Sequence, residues 1–380
     1  MKRSRRHGLN RASTAFYVRV LLVAACALFL VVWVVTSGDP ASPPLAQRGG
    51  ELFRTEFTPE EGLGPLFNER ACSACHAFPA VGGVGRRGLA TVLRVGQLTD
   101  AGFDALIGRG GPFARAHSIS ELGVACDRSA GIPAGVNVTS VRNTPSLFGS
   151  GLIDAISDET IRAGAARARG AGVTGRPNLV RGPDGRKEIG RFGWKADTPT
   201  LELFVAEALR NELGVTSLLA PAGPLPAGVS PCEGESSAAE ADADAVAALT
   251  AFVATLPAPR PRASHPAGAA VFNESGCAAC HMPSLKAGMR RVPLYSDLLL
   301  HDMGRALDDR VVQGSAGGRE WRTAPLWGLA DRTRYLHDGR ADSLEAAILD
   351  HGGEAAGARR RFRSLSSAER RSLMKFMHTR

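Results

Sequence analysis

The sequence predicts a mainly α protein made of two fused copies of one unit, with a loop-rich insertion in the first. Three observations lead there. The pattern C-x-x-C-H occurs twice, at Cys72-Ser73-Ala74-Cys75-His76 and at Cys277-Ala278-Ala279-Cys280-His281. Each copy is preceded by the same tripeptide, Phe67-Asn68-Glu69 and Phe272-Asn273-Glu274, with the Phe five positions before the first Cys. Each is followed by a related block, Arg142-Asn143-Thr144-Pro145-Ser146-Leu147-Phe148-Gly149 and Arg322-Thr323-Ala324-Pro325-Leu326-Trp327-Gly328. Pro145 trails His76 by 69 residues and Pro325 trails His281 by 44, so the first copy carries the extra length. A frame duplicated in this way marks a repeated unit.

C-x-x-C-H is the sequence at which the two vinyl groups of a haem are captured as thioethers, and the adjacent His becomes the proximal iron ligand. The competing reading is zinc. Zinc wants its Cys pairs typically ~15–20 residues apart, whereas Cys75 and Cys277 are 202 apart. It also gives no reason for a His directly after each second Cys. Two c-type haems are therefore expected, one on Cys72, Cys75 and His76 and one on Cys277, Cys280 and His281. The fold class becomes two fused cytochrome c-like domains.

Along the chain, residues 1–36 read as an N-terminal signal anchor. Lys2, Arg3, Arg5, Arg6, Arg11 and Arg19 precede an apolar run from Val20 to Val35. The basic end should stay cytoplasmic and the rest be exported. No A-x-A cleavage site follows, so an uncleaved anchor in the inner membrane is expected, with a cleaved signal peptide as the alternative. Val23-Ala24-Ala25-Cys26 resembles a lipoprotein box, but the apolar run continues for nine residues after Cys26. The formal net charge is +9, and those six basic residues precede the first acidic one, Asp39. The remainder carries only +3, which calls for no nucleic-acid partner.

Residues 37–47 form a Pro/Ser linker, 48–256 the first haem domain, 257–266 a Pro-rich linker beginning Pro257-Ala258-Pro259-Arg260-Pro261-Arg262, and 267–380 the second haem domain. A short helix is expected before Cys72. Gly-rich stretches at 81–88 and 108–112 read as loops folding over a haem, and 158–169 as a helix. Residues 170–190 read as a polar excursion and 198–213 as a helix with Leu201, Phe204, Val205, Ala208 and Leu209 at helical spacing. Residues 218–236 read as a loop, and 237–256 and 366–378 as helices. Of the seven cysteines, Cys26 lies in the anchor and four serve the haems. In an oxidising compartment the remaining two, Cys126 and Cys232, are expected to pair.

Each haem iron has one position beyond its proximal His. Filling it with His or Met gives an electron carrier, and leaving it open gives a site for peroxide or oxygen. Met282, Met289, His301, Met303, His337 and His351 are the candidates in the second domain. His117 is the only His between 77 and 264.

The segments Asp297-Leu298-Leu299-Leu300-His301-Asp302-Met303-Gly304, Glu320-Trp321-Arg322 with the Pro325 block, and His337-Asp338-Gly339-Arg340-Ala341 together resemble the di-haem oxidoreductase family, also called thiol-oxidoreductase-like or di-haem peroxidases. Gly190-Arg191-Phe192-Gly193-Trp194-Lys195-Ala196 and Gly151-Leu152-Ile153-Asp154-Ala155-Ile156 carry the same resemblance, which covers roughly residues 50–380. The family is similar in turn to bacterial di-haem cytochrome c peroxidases and to MauG. In those peroxidases a Met fourteen positions after the His of His-Asp-Gly binds the second haem; here that position is His351. The resemblance thus implies a C-terminal haem held by His281 and His351, with Met303 the next candidate and His301 and Met303 mainly supporting residues. His337 should bond a propionate or the backbone.

The resemblance further implies electron flow from the C-terminal haem to a reactive N-terminal haem, where a small oxidant such as peroxide reacts. A redox protein would supply the electrons. Asp154 is the first choice for a distal acid–base group, with Asp158 and Glu159 as alternatives, and Trp194 for a bridge between the haems. Calcium between the haems is also implied, although no ligands can be placed. Two other functions stay open: an electron carrier with both irons six-coordinate, and MauG-like oxidation of a partner protein. The oligomeric state is open as well.

Overall fold

Glycines let the two main helix pairs close. In the computed structural model, which describes residues 44–85, 90–170, 173–221, 230–233, 235 and 239–380, the helix Leu45–Leu52 crosses the helix Ala243–Thr255. A Cβ on Gly49 would land on the Ala248 carbonyl, so only glycine permits that approach. The helix Pro266–Glu274 crosses the C-terminal helix Ser367–Met377 in the same way, with Gly268 against the Ser372 carbonyl. Four residues past each glycine a phenylalanine packs on its partner. Phe53 meets Phe252 with ring centres 5.2 Å apart, and Phe272 meets Phe376 at 5.3 Å.

This corrects the frame read from the sequence. Phe272-Asn273-Glu274 ends a helix, whereas Phe67-Asn68-Glu69 begins in a strand, Leu66–Phe67, paired with His117–Ser118. The structural counterpart of Phe272 is Phe53. The helix expected before Cys72 lies twenty residues ahead of it, and the chain makes an excursion before the motif.

The fold class is also corrected. The protein is mixed α/β rather than mainly α, with eleven short strands in five small sheets among the described residues. The largest sheet joins Thr91–Thr99 to Gly102–Asp104 and to Val138–Asn143, all antiparallel. These strands fall in stretches where the sequence shows no strand pattern, and the reason is physical. Along Val138–Asn143 the inward residues are Val138, Ser140 and Arg142, while Val141 faces out, so the usual apolar-in alternation is broken. Residues 179–181 and 187–189 form a hairpin within the expected polar excursion. Leu300–Asp302 pairs with Glu320–Arg322, which places His301 opposite Trp321.

The expected helices largely form. Asp158–Gly170 is helical, and Thr200 caps Leu201–Ala208 through the Leu203 amide before the chain widens into a π turn, Leu209–Leu213. Asp242 caps Ala243–Thr255, Ser343 caps Leu344–Leu349, and Ser366 with Glu369 forms a capping box on Ser367–Met377. Leu45–Arg380 packs as one compact unit. Residues 257–266 run along it, with the Arg262 amide donating to the Thr379 carbonyl and its guanidinium paired with Asp331.

The main apolar core gathers Ile156, Ile161, Leu201, Leu249, Leu294 and Leu298 from both halves of the chain. A smaller core forms around Phe272, Phe362, Leu373 and Phe376.

No helix of the described residues is long and apolar enough to cross a membrane, and the expected anchor lies outside them. Cys126 and Cys232 form a disulfide spanning 106 residues. Replacing both with serine is expected to lower unfolding free energy by about 2–4 kcal/mol, because a cross-link over so long a loop restricts the unfolded chain strongly. The shift in urea midpoint measures it, and an unchanged midpoint would show the bond to be structurally idle.

Candidate cofactor sites

The second C-x-x-C-H forms a single turn at Cys277–Ala279, and His281 follows it. His281 Nδ1 donates to the Tyr295 carbonyl at 3.0 Å, and His351 Nδ1 donates to the Ala347 carbonyl at 2.7 Å. The two rings face one another with centres 6.5 Å apart. A metal bonded at about 2 Å to the free nitrogen of each imidazole would set the ring centres roughly 6 Å apart. Both Nδ1 protons are committed to backbone, so each Nε2 lone pair is left for a metal. Burial pushes the His281 pKa down to about 4 and depresses that of His351, which keeps both rings in the neutral, ligating form. The helix Leu344–Leu349 delivers His351, while Met303 contributes its backbone, its carbonyl lying against Gly352.

Beside this pair His301 is almost wholly buried between two carboxylates. Its Nε2 lies 3.0 Å from Asp297 and its Nδ1 2.9 Å from Glu354, with Cys280 Sγ at 3.6 Å. Gly175 leaves the room for this ring, and Thr174 next to it donates to Glu354 from both amide and hydroxyl. Burial alone would lower the His301 pKa, but its hydrogen bonds to Asp297, Cys280 and Glu354 hold it up at about 12. A folded pKa above the unfolded value of about 6.5 means stability fully present below that value and lost as pH rises towards 12. His301→Gln is expected to remove this loss, so urea midpoints of the two proteins should converge between pH 6 and pH 9. A constant difference across that range would contradict the charged state.

The first C-x-x-C-H forms the short helix Cys72–Cys75. His76 Nδ1 donates to the Gly83 carbonyl at 3.0 Å, the Pro145 backbone approaches the same ring, and burial pushes its pKa down to about 4. Among the described residues no second imidazole faces it. His117 is exposed, stacked on Phe67 and paired with Glu121 at 2.9 Å.

The two echoed blocks meet across one cavity, lined by Pro145, Phe148, Trp194, Pro325, Trp327 and Arg332. Trp194 is half-buried there; its indole donates to the Asn143 carbonyl at 2.9 Å, and its own carbonyl accepts from the Arg322 amide. Asp154 is exposed and accepts from the Leu201 amide at 2.9 Å, holding the start of that helix. Asp158 pairs with Arg191, and Glu159 is exposed. His337 is stacked on Trp321 with ring centres 3.6 Å apart, and burial pushes its pKa down to about 3.

Groups the sequence did not single out complete the picture. Arg94, Arg322 and Arg332 each keep a buried guanidinium nitrogen with no hydrogen-bond partner, and burial lowers the pKa of each, that of Arg322 to about 10. Unpaired buried cations are costly, and a haem brings two carboxylates. Arg322 and Arg332 line the cavity that holds Trp194. His76, His281 and His351 lie deep yet keep partial exposure, as groups lining a crevice do. These residues fit haem on both sides of the molecule.

Two half-buried carboxyls, Glu207 and Glu212, have pKa values raised by desolvation. Glu212 sits on the π turn, accepts from Asn68 at 2.8 Å and acts electrostatically on Cys75; Glu207 accepts from Thr198 at 2.7 Å. No periodicity could have marked them, although a π turn is often found at functional sites. Burial keeps Cys72 and Cys75 protonated, pushing each up to about 12, and Cys277 up to about 11. Among the described residues no group of three or more His, Cys, Asp or Glu is arranged to hold a metal ion.

A family model described as "Di-haem oxidoreductase, putative peroxidase" matches residues 134–380. No curated protein matches. Two solved structures are similar to this chain at low identity. A hydrazine synthase of Kuenenia stuttgartiensis, pressurised with xenon, is 14% identical over 90% of this chain and 94% of its own, with a TM-score of 0.38. A MauG-like protein associated with microbial copper homeostasis is 17% identical over 90% of each chain, with a TM-score of 0.42.

Proposed function

The chain belongs to the di-haem oxidoreductase family, and on that premise we propose an exported peroxidase-type enzyme, taking electrons in at its C-terminal haem and reducing peroxide at its N-terminal haem. The observation that carries this is the contrast between the two motifs. His281 faces His351 at 6.5 Å, a pair suited to electron transfer, whereas His76 faces no second imidazole among the described residues. Haem supplies the one-electron chemistry once bound, and Cys72, Cys75, Cys277 and Cys280 are the residues to hold it as thioethers.

The chain's own groups supply the rest. Arg322 and Arg332 offer their unpaired N–H groups to haem carboxylates. Reduction of one peroxide to two waters takes up two electrons and two protons. Glu207 and Glu212, with pKa values raised by burial, are better placed than exposed Asp154 to hold such a proton inside the fold. Trp194, set between the echoed blocks, is the group through which electrons would pass between the two sides. The N-terminal segment would tether the enzyme in the periplasm, and a redox protein would be its donor.

The test is EPR of the haem-loaded protein in its ferric and half-reduced states, followed by turnover with peroxide and a reduced cytochrome. A high-spin signal in either state, lost on adding peroxide, is expected. Two low-spin haems throughout, unchanged by peroxide, would leave an electron carrier instead. Denaturing mass spectrometry should find both haems on the chain, and free haem would refute thioether attachment.

A further inference from the structure

The last 25 residues carry eight Lys and Arg against one acidic residue, a net +7, while Asp39 to Ala355 nets −4. This charge is displayed rather than neutralised. Arg360 and Arg363 stand exposed on the helix Ala356–Ser364, and Arg371 and Lys375 on Ser367–Met377. Within each pair the spacing of three or four puts both cations on one helix face. None of the four has a carboxylate partner among the described residues. The nearby acids are already engaged, Glu345 with Arg370, Glu369 with Ser366 and Glu354 with His301.

Position gives the charge its meaning. The basic helix begins five residues after His351, and the Arg359 charge helps depress the His351 pKa. Arg361 donates to the Ser275 carbonyl at 3.0 Å and lies over Gly276, which directly precedes Cys277; a Cβ there would collide with its guanidinium. The basic surface is therefore built onto the second C-x-x-C-H. Next to it opens a groove lined by Leu365 and Met374 with Arg371, Lys375, His378 and the Arg370–Glu345 pair.

We propose that this surface docks an acidic one-electron donor protein at the C-terminal haem. The inference rests on electron entry at that haem. Complementary charge raises association rates by roughly 10–10³-fold and is screened by salt, so the signature is kinetic. In the step one electron leaves the donor and reduces ferric iron to ferrous, and no bond forms or breaks.

The experiment uses the haem-loaded protein with reduced flavodoxin, an acidic one-electron donor, as probe. The variant combines Arg360→Glu, Arg363→Glu, Arg371→Glu and Lys375→Glu, with unchanged haem content and circular dichroism as the check on folding. A second variant with four Gln substitutions stands in if the first fails that check. At low ionic strength the reduction rate should fall on the order of tenfold or more in the variant. Raising salt to about 0.15 M, where the Debye length is about 8 Å, should bring the parent towards the variant. Reduction by dithionite at about 1 M salt, where the Debye length is about 3 Å, should stay the same in both.

Equal flavodoxin rates for parent and variant would overturn the proposal. So would unchanged flavodoxin kinetics with lost binding to phosphatidylglycerol vesicles, which would make this a membrane-facing surface. EPR of the half-reduced sample reads separately which haem takes the first electron. First reduction at the N-terminal haem would overturn the entry reading, while salt and charge dependence of the rate would still uphold the docking surface.

Discussion

His351→Ala is expected to replace a low-spin ferric EPR signal with a high-spin one while leaving the covalent haem content unchanged. The expectation follows from geometry. His351 is the ring that faces His281, at 6.5 Å, and its Nδ1 proton is committed to the Ala347 carbonyl. Removing the imidazole leaves Gly352, where an added Cβ would meet the Met303 carbonyl, and no other imidazole in that position among the described residues. Added free imidazole should restore the low-spin signal in the variant by filling the space. His351→Met should restore it too, at a higher reduction potential, since a thioether favours ferrous iron more than imidazole does. A low-spin spectrum that survives His351→Ala would transfer the ligand role to Met303 or another residue. The contrast with the first site sharpens the test. His76 is oriented by the Gly83 carbonyl just as His281 is by Tyr295, so any difference between the two irons should originate on the opposite side.

Asp309→Ala is expected to cost about 3–5 kcal/mol of stability, the range for breaking a buried ion pair by removing one partner. Asp309 is the anion of a buried cluster, with Arg142 Nη2 at 2.6 Å and Lys195 Nζ at 2.9 Å. The Lys195 ammonium is 0% exposed and also donates to the Gly317 and Gly318 carbonyls. Both cations lie over the Trp321 ring, whose other stacking partner is His337. Burial already pushes the Lys195 pKa down to about 8, with Asp309 holding it up. Without the carboxylate that pKa should fall further, so the loss in stability should shrink as pH rises and Lys195 in the folded protein becomes neutral. Urea unfolding at pH 6 and pH 9 measures both effects. A loss below about 1 kcal/mol, the value of an exposed pair, would show that water reaches the cluster. Replacing Lys195 with Met together with Asp309→Leu should recover part of the loss, because only one of the two cations, Arg142, is then left uncompensated.

The helices were legible because their signals are local. Ser366 and Glu369 announce a capping box three residues apart, and Leu201, Phe204, Val205 and Leu209 recur at helical spacing through Leu201–Ala208 and the π turn after it. The strands were not, because their inward residues include Ser140 and Arg142, whose burial is justified only by Asp309 and Gln313 more than 160 positions later. The repeat was legible at the C-x-x-C-H motifs but was misaligned ahead of them. Phe-Asn-Glu is a conspicuous echo of no structural consequence, while the equivalent residues, Gly49 with Phe53 and Gly268 with Phe272, are too ordinary a pair to notice. His351 was reached from the sequence only through a family register. Glu207 and Glu212 were not reached at all, since nothing local distinguishes a buried acid from a solvated one.

By itself, then, the sequence determined the two C-x-x-C-H sites and most of the longer helices, features set by residues within a few positions of each other. It also determined the amphipathic basic C-terminus, whose charge is a matter of composition. The tertiary structure decided which imidazole stands opposite His281, which arginines are left unpaired beside the cavity and which carboxyls lose water. Desolvation and pairing are properties of distant neighbours, as between Lys195 and Asp309, 114 residues apart, and no local pattern encodes them.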